Sequence, residues 1–345
     1  MIQLGARQIE SSRQKLRLSP NYNEDQFVNV EETRVMNPDS KSLKVMSEFI
    51  SKGTNRKPEN VIPTRVFNSA LFSSENEQIM LSWFGHSTVL FNVDGKTFLT
   101  DPFFGHRASP VSFAGTKKFN YSNEHSVYDL PHIDVVLISH DHYDHLDYKT
   151  ILNLKEKAEK FIVPLGVGAH LRRWKVPEDK IIEMDWQQKV TVDGDITVIC
   201  TPARHFSGRR LKRNTTLWGS FVVQSKNHSV YFSGDSGYGS HFQKIGEQYG
   251  PFDLTLLECG QYNENWPQIH MNPAETLKAH HDLQGRILLP LHWAKFNLSL
   301  HSWIEPVETL LNVSNGSEKS ILIPEIGEVV RFGDKNEFSQ SYWWR

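Results

Sequence analysis

The chain has 345 residues, a formal net charge of -2 and only two cysteines. This length suffices for one large domain or two small ones, and the near-neutral charge supplies no basic field that would hold a nucleic acid. Residues 1–20 lack the apolar core of a secretory signal, and no later segment approaches the ~20 apolar residues of a membrane span. Cys200 and Cys259 stand in or beside apolar runs, which predicts free, buried thiols. We therefore expect a cytoplasmic protein without a nucleic-acid partner.

The first 75 residues are polar and are interrupted by several prolines. One amphipathic helix is predicted there, beginning near Asp39 or Ser40 and ending at Gly53. Its apolar face comprises Leu43, Met46, Phe49 and Ile50. Such a helix either contacts a membrane or a partner, or packs on the rest of the protein, which is the commoner case. We predict an N-terminal extension over residues 1–75 that packs on a main domain over residues 76–345.

From Ile79 onward the sequence consists of short runs rich in β-branched and aromatic residues, which predict strands. The predicted strands are 80–84, 88–93, 97–100, 134–139, 161–163, 189–192, 196–201, 217–223, 230–233, 254–257, 287–291 and 328–332. Helices are predicted between them at 148–160, 239–249, 273–281 and 306–311. Two sheets sandwiched between helices would accommodate this order.

The segment that follows the strand 134–139 has the pattern H-x-H-x-D-H, formed by His140, His142, Asp144 and His145. Neutral imidazole and carboxylate oxygen are ligands of divalent metals, and zinc is the usual occupant of such mixed sites. Strand periodicity places His140 and His142 on the same side as the chain leaves the sheet. The following turn can aim Asp144 and His145 into an adjacent position. The loop therefore predicts part of a two-metal site.

Four side chains do not complete two metal sites, because each site needs about four donors. Three further candidates, His205, Asp235 and His292, each stand where a predicted buried strand ends. Rigid backbone at a strand end can hold a ligand in place. Taken singly, each residue is more often a hydrogen-bonded structural residue than a ligand. Their order after the H-x-H-x-D-H loop favours ligands.

This order resembles that of the metallo-β-lactamase superfamily, whose dinuclear members carry H-x-H-x-D-H followed by His, Asp and His. The resemblance implies an α/β fold, an αββα sandwich of two mixed β-sheets flanked by helices. It also implies two Zn²⁺ ions per chain. One ion would be held by His140, His142 and His205, and the other by Asp144, His145 and His292. Asp235 would bridge both ions.

A narrower resemblance covers most of residues 80–300. The phrases Gly85-His-Ser-Thr-Val, Thr100-Asp-Pro-Phe-Phe, Leu217-Trp-Gly-Ser and Gly250-Pro-Phe-Asp are similar to the N-acyl-phosphatidylethanolamine-hydrolysing phospholipase D family. This resemblance implies a phosphodiesterase in which a metal-bridging hydroxide attacks phosphorus, releasing N-acylethanolamine and phosphatidic acid. Ascorbate-phosphate lactonases share these phrases in part, so a cytosolic metal-dependent lactonase is the alternative. A metal-binding scaffold without activity is a third hypothesis.

The family pattern also implies roles for residues around the metals. Asp144 would orient the attacking water, and His270 would protonate the leaving group, although a partly exposed loop histidine is an equally common interpretation. Asp101 is predicted to fix a metal-binding histidine through a hydrogen bond, and His86 is either a second such group or a cap of the preceding turn.

Two groups of residues are candidates for substrate binding. Near His205 lies a basic cluster, Arg204, Arg209, Arg210, Lys212 and Arg213, which attracts a phosphate head group or is merely a solvated loop. The mammalian enzyme of the family has a lysine where this chain has Gly208, and Arg209 is our candidate to replace it. Apolar substrate walls are predicted at Phe103, Phe104, Val111, Phe113, Tyr262 and Trp266, the first four of which could instead anchor their loop. We expect a phospholipid or other phosphoester substrate, contact with a membrane surface, and a homodimer.

Overall fold

The computed structural model describes all residues except 1, 9, 41–46, 49–54, 73–77, 112, 316 and 333–340. The apolar face of the amphipathic helix predicted from Asp39 or Ser40 to Gly53 therefore lies outside the described residues. The strands are β1 (Tyr22–Asn23), β2 (Gln26–Phe27), β3 (Ile79–Trp83), β4 (Val89–Val93), β5 (Lys96–Thr100), β6 (Arg107–Ala108), β7 (Thr116–Lys117), β8 (Ile133–Leu137), β9 (Ala158–Pro164), β10 (Ile181–Met184), β11 (Lys189–Asp193), β12 (Ile196–Thr201), β13 (Ser220–Gln224), β14 (Ser229–Phe232), β15 (Phe252–Glu258), β16 (Gly285–Leu291) and β17 (Val329–Phe332). The helices are α1 (Glu10–Leu16), α2 (Tyr148–Leu154), α3 (Gly168–Arg173), α4 (His241–Tyr249), α5 (Pro273–Asp282) and α6 (Glu305–Val313).

Two mixed sheets form the centre of the molecule. The first has the strand order β10-β9-β8-β5-β4-β3-β17, and the second has the order β11-β12-β13-β14-β15-β16. In the first sheet the strands from β5 to β10 are parallel neighbours, whereas the strands from β17 to β5 are antiparallel. In the second sheet the pairs from β11 to β14 are antiparallel and those from β14 to β16 are parallel. Helices α5 and α6 pack on each other, and α5 contacts β15 and β16. This arrangement confirms the predicted fold.

The alternation of side chains along each strand builds two apolar layers. Phe91 and Phe98 on β4 and β5 stack with ring centroids 5.2 Å apart and belong to the main core, which also contains side chains of the second sheet. Their neighbours Leu90 and Leu99 point to the opposite face and pack in a separate cluster with Ile151 of α2. Successive residues of a strand face opposite sides of a sheet, so both faces of the first sheet are buried.

The observed elements differ from the predicted ones in several places. The helix predicted at 148–160 ends at Leu154, because residues 158–164 form strand β9 between β8 and β10. The short elements α1, α3 and β10 were not predicted. Among the described residues, no helix is long and apolar enough to cross a membrane.

Described segments of the N-terminal region contact the main domain. The Trp174 indole donates a hydrogen bond to the Ile2 carbonyl at 2.9 Å, and the Asn29 amide donates to the His205 carbonyl at 2.8 Å. Asn29 Oδ1 also accepts from the His205 backbone N–H at 3.0 Å. The boundary at residue 75 stays a prediction. Asn29 therefore holds the backbone of His205, a candidate metal ligand, directly.

Candidate active site

The candidate ligands all follow the carboxyl ends of strands. The H-x-H-x-D-H loop begins two residues after β8, and Asp101 directly follows β5. His205 and Asp235 follow β12 and β14 after short turns, and His292 directly follows β16. These strand ends from both sheets meet at one edge of the sandwich, and every predicted ligand lies there.

One group of donors consists of His140, His142, His205 and Asp235, whose ligand atoms all lie within 4.8 Å of one another. Nε2 of His140 and Nε2 of His205 are each 3.7 Å from Asp235 Oδ2. His142 Nδ1 lies 2.8 Å from His140 Nε2 and 3.3 Å from His205 Nε2. Three imidazoles and a carboxylate converging on one point are the ligand types of a divalent metal site.

The adjacent group consists of Asp144, His145, His292 and His86. Asp235 lies between the two groups, since its Oδ2 is 3.1 Å from His145 Nε2 and its Oδ1 is 3.0 Å from His292 Nδ1. His86 Nε2 lies 2.9 Å from Asp144 Oδ2, so His86 orients the Asp144 carboxylate. Asp235 is thus the carboxylate that both groups share.

The polar atoms of the two groups fit metal ions better than they fit one another. His145 Nε2 and Asp235 Oδ1 are buried and, although each lies close to another polar atom of the site, neither makes a hydrogen bond of acceptable geometry within the described part of the chain. An unsatisfied buried polar atom costs roughly 1–3 kcal/mol, a cost that coordination would remove. Burial lowers the pKa of His142 to about 4 and holds the pKa values of His140 and His292 well below their usual range. These three rings are therefore neutral and able to ligate at neutral pH.

Asp101 fixes the orientation of His145. The buried carboxylate accepts hydrogen bonds from the Ser139 N–H at 2.7 Å, the Ser139 hydroxyl at 2.5 Å and His145 Nδ1 at 2.7 Å. This contact leaves Nε2 of His145 aimed at Asp235. In the same way, His205 Nδ1 donates to the Ile269 carbonyl at 2.9 Å and turns its Nε2 inward. Such partners set the tautomer of a ligating histidine.

Three residues at this edge have a strained backbone. Asp101, His86 and His292 have φ values of 31°, 56° and 68°, in the left-handed region that side chains with a Cβ rarely adopt. Each such residue costs about 1–3 kcal/mol and persists only where its surroundings enforce it. Here the backbones of His86 and His292 bond each other, with His292 N–H donating to the His86 carbonyl at 3.1 Å.

Glu258 is a site residue that the sequence did not reveal. It ends β15, is fully buried, and accepts hydrogen bonds from the Met271 N–H at 2.7 Å and from His270 Nδ1 at 2.8 Å. His270 thus stands beside the metal ligands, with its ring centroid 5.1 Å from that of His205 and 5.2 Å from that of His292. Glu258 stands at the end of a strand, as the candidate ligands do, and this position in the sequence could have identified it.

A cavity of about 320 Å³ opens over the two groups. Its floor includes His142, Asp144, Asp235, His270 and His292. Its walls are largely apolar and come from distant parts of the sequence: Val35, Met36, Phe206, Trp266, Ile269 and Leu298. Trp266 lies where it was predicted, whereas the contribution of the N-terminal residues Val35 and Met36 was not foreseen.

Several predicted substrate contacts take other positions. Phe103 is fully buried against Phe296, and Phe104 packs on Phe84, so both anchor their loop. Phe113 is 82% exposed but does not line the cavity. Tyr262 is also outside the lining, and its hydroxyl donates to Glu305 at 2.8 Å.

Arg209 is not available to a phosphate, contrary to prediction. Its guanidinium is buried and donates to the backbone carbonyls of Asp141, Leu146 and Gln3 at 2.8, 2.8 and 2.7 Å. Of the five residues in the basic cluster, Arg213 is the one that lines the cavity. It is exposed, its guanidinium lies 5.1 Å from the Phe206 ring centroid, and no ion pair involves it within the described residues.

Comparison with known proteins gives the same family as the sequence motifs. The family model described as a beta-lactamase superfamily domain matches residues 96–293. An uncharacterized protein of Mycobacterium tuberculosis is 43% identical, covering 95% of this chain and 88% of its own length. N-acyl-phosphatidylethanolamine-hydrolyzing phospholipase D 1 of Caenorhabditis elegans is 32% identical, covering 80% of this chain and 82% of its own length.

The fold also matches a solved structure. Igni18, a metallo hydrolase of the archaeon Ignicoccus hospitalis, superposes with a TM-score of 0.57 at 23% identity, covering 75% of this chain and 100% of its own. With the ligand groups at the sheet edge, the matches establish a metal-dependent hydrolase. The chain belongs to the metallo-β-lactamase superfamily and, within it, to the family of N-acyl-phosphatidylethanolamine-hydrolysing phospholipases D.

Proposed function

We propose that the chain is a zinc-dependent phosphodiesterase of phospholipase D type that hydrolyses N-acyl-phosphatidylethanolamine to N-acylethanolamine and phosphatidic acid. One observation carries the proposal: a single cavity combines two groups of metal ligands, a free arginine and an apolar wall. A phosphodiester bearing long acyl chains needs all three. The 32% identity to a relative named for this reaction supports the choice of substrate.

Seven side chains would hold two zinc ions. His140, His142 and His205 would bind one ion, while Asp144, His145 and His292 would bind the other, with Asp235 shared between them. Two bound ions supply an activated water near neutral pH and offset the negative charge of the phosphate. His86 fixes the Asp144 carboxylate at 2.9 Å, which restricts the directions in which Asp144 can accept a hydrogen bond from water.

His270 is the residue that would supply a proton to the leaving oxygen. Its Nδ1 donates to Glu258, so the ring would donate from Nε2 to a partner in the cavity when both nitrogens carry a proton. Glu258 does not line this cavity and would act by positioning the imidazole and stabilising its protonated form. A general acid of this kind contributes about 10²–10⁴ in rate.

Arg213 and the apolar wall would bind different parts of the substrate. The Arg213 guanidinium lies at the cavity, 5.1 Å from the Phe206 ring centroid, and makes no ion pair among the described residues, so it can pair with a phosphate oxygen. Trp266, Ile269 and Val35 pack together on one side and provide apolar contact for an acyl chain.

The test is an activity screen on one zinc-analysed preparation. N-acyl-phosphatidylethanolamine in mixed micelles, a soluble phosphodiester and a sugar-phosphate lactone are offered in parallel, and the products are identified by mass. We expect about two zinc ions per chain and release of N-acylethanolamine. Hydrolysis of the lactone with the lipid left intact would reject the proposal in favour of a lactonase.

Asp235→Asn separates catalysis from a scaffold role. The change keeps the shape of the side chain but removes the charge between the two ligand groups, so turnover should fall by at least about 10²-fold. Asp195→Asn is the matched control, because Asp195 is exposed in the turn between β11 and β12. A folded Asp235→Asn protein with full activity would overturn the bridging role.

A further inference from the structure

A second cavity of about 330 Å³ shares no lining residue with the active-site cavity. It lies between the start of the chain and the loop after His205. Four basic side chains line it: Arg7, Arg13, Arg210 and Lys212. The only acidic residue in its lining is Asp25, which pairs with Arg17 at 3.3 Å. A chain with a net charge of -2 therefore places a strong positive charge in one small region.

Parts of this basic cavity are preorganised for an anion. Arg210 is held by a hydrogen bond from Nη2 to the Gly5 carbonyl at 2.8 Å, while its buried Nε has no partner within the described residues. Arg7 and Lys212 are exposed, and the described part of the chain offers neither of them an ion pair. Cations that are fixed in place but not neutralised bind phosphate groups readily.

The residue between two of these cations is apolar. Leu211 separates Arg210 from Lys212, lines the cavity and is fully exposed to solvent. A soluble phosphate compound would gain nothing from an exposed leucine. A bilayer surface offers both chemistries at once, anionic head groups for the cations and acyl chains for an inserted leucine.

The loop that carries Leu211 also reaches the active site. It is closed by a hydrogen bond from the Asn214 N–H to the Ser207 carbonyl at 2.9 Å. Within it, Arg213 lines the active-site cavity, whereas Arg210, Leu211 and Lys212 line the basic one. Leu211 and Arg213 are two residues apart in the sequence, so a membrane bound at Leu211 would lie close to the entrance of the active-site cavity.

We propose that the basic cavity and Leu211 form a docking site for anionic phospholipid head groups at a membrane surface. The inference does not depend on the substrate proposed above, because docking is measured without turnover. A nucleic acid is a poorer occupant, since its backbone needs an extended basic track and has no use for Leu211.

The experiment is flotation of the full-length protein with phosphatidylcholine vesicles that contain or lack phosphatidylglycerol. We expect binding only to the anionic vesicles and release in high salt, because surface charges are screened. Arg7→Glu/Lys212→Glu should weaken vesicle binding by at least about 25-fold, from about fivefold per lost charge. Leu211→Ser should weaken it by about tenfold or more.

Lys149→Glu/Lys226→Glu is the matched control, because it makes the same charge change at exposed lysines outside both cavities and should bind normally. Urea unfolding of each variant reports folding independently of lipid and of turnover. Equal binding by wild type and by Arg7→Glu/Lys212→Glu would overturn the proposal. So would normal vesicle binding by Leu211→Ser together with displacement by millimolar glycerol phosphate, which would indicate a site for soluble phosphates.

Discussion

Replacing Asp101 with asparagine should weaken one metal position and spare the other. Asp101 uses one oxygen for the Ser139 N–H and the other, Oδ2, to accept from His145 Nδ1 at 2.7 Å. Asparagine has a single side-chain oxygen. At the Oδ2 position it presents either its amide NH₂, which cannot accept, or the one oxygen that the other donors also need. The His145 ring would then be free to carry its proton on Nε2, the atom that faces Asp235 at 3.1 Å. A protonated Nε2 cannot ligate a metal.

Loss of such an orienting partner typically costs about 10–100-fold in metal affinity. We expect a loss of this size for the ion at Asp144, His145 and His292, with near-normal affinity at His140, His142 and His205. Chelator competition with zinc measured per chain resolves the two positions. Asp195→Asn is the control, because it makes the same change of side chain at an exposed position in the turn between β11 and β12. Two unchanged affinities in Asp101→Asn would refute the reasoning.

Four other predictions concern single residues. Glu258→Gln should lower kcat by about 10²-fold with little change in KM or zinc content, because a neutral amide holds His270 Nδ1 less firmly than the carboxylate does, and normal turnover would refute the positioning role of Glu258. Arg213→Ala should raise KM for a phosphodiester by about tenfold with the fold intact. In urea unfolding, Arg209→Ala should lower the free energy of unfolding by about 3 kcal/mol or more, because three carbonyls lose a buried donor. Burial lowers the pKa of His280 to about 4, so the unfolded chain takes up the proton first as pH falls through about 6.5 and stability is lost down to about pH 4. Between about pH 7 and pH 5 the wild type should lose about 2 kcal/mol more than His280→Asn in urea unfolding, and equal losses would contradict this.

The sheets and the position of the candidate ligands at strand ends could be predicted from the sequence because both depend on local patterns. Strand β16 ends in a continuous apolar run over residues 287–291, and His292 directly after it stands out as the first polar residue. The helix predicted at 148–160 was too long because its last residues enter β9. Residues 158–160 are Ala-Glu-Lys, which favour a helix locally, and pairing with β8 overrides that preference.

Residues whose roles depend on distant contacts could not be assigned in this way. Arg209 and Arg213 look alike in the sequence, yet one guanidinium is consumed by three backbone carbonyls and the other faces the cavity. The carbonyl of Gln3, which accepts from Arg209, lies about two hundred positions away in the chain, and no local pattern records this contact. Phe103 likewise looks like an exposed apolar residue until the burial by Phe296 is known.

The cavity has a floor of candidate metal ligands and a largely apolar wall, and Phe206 contacts both. Its ring lies 4.5 Å from that of His142 and 4.8 Å from that of His205, and the Arg213 guanidinium stands 5.1 Å from it. Val35 packs in the same apolar cluster as Trp266 and lines the cavity wall. A change at Val35 therefore alters the space for substrate alone, whereas a change at Phe206 also loosens two ligands. Selectivity in this cavity can vary through residues such as Val35 without disturbing the centre that performs the reaction.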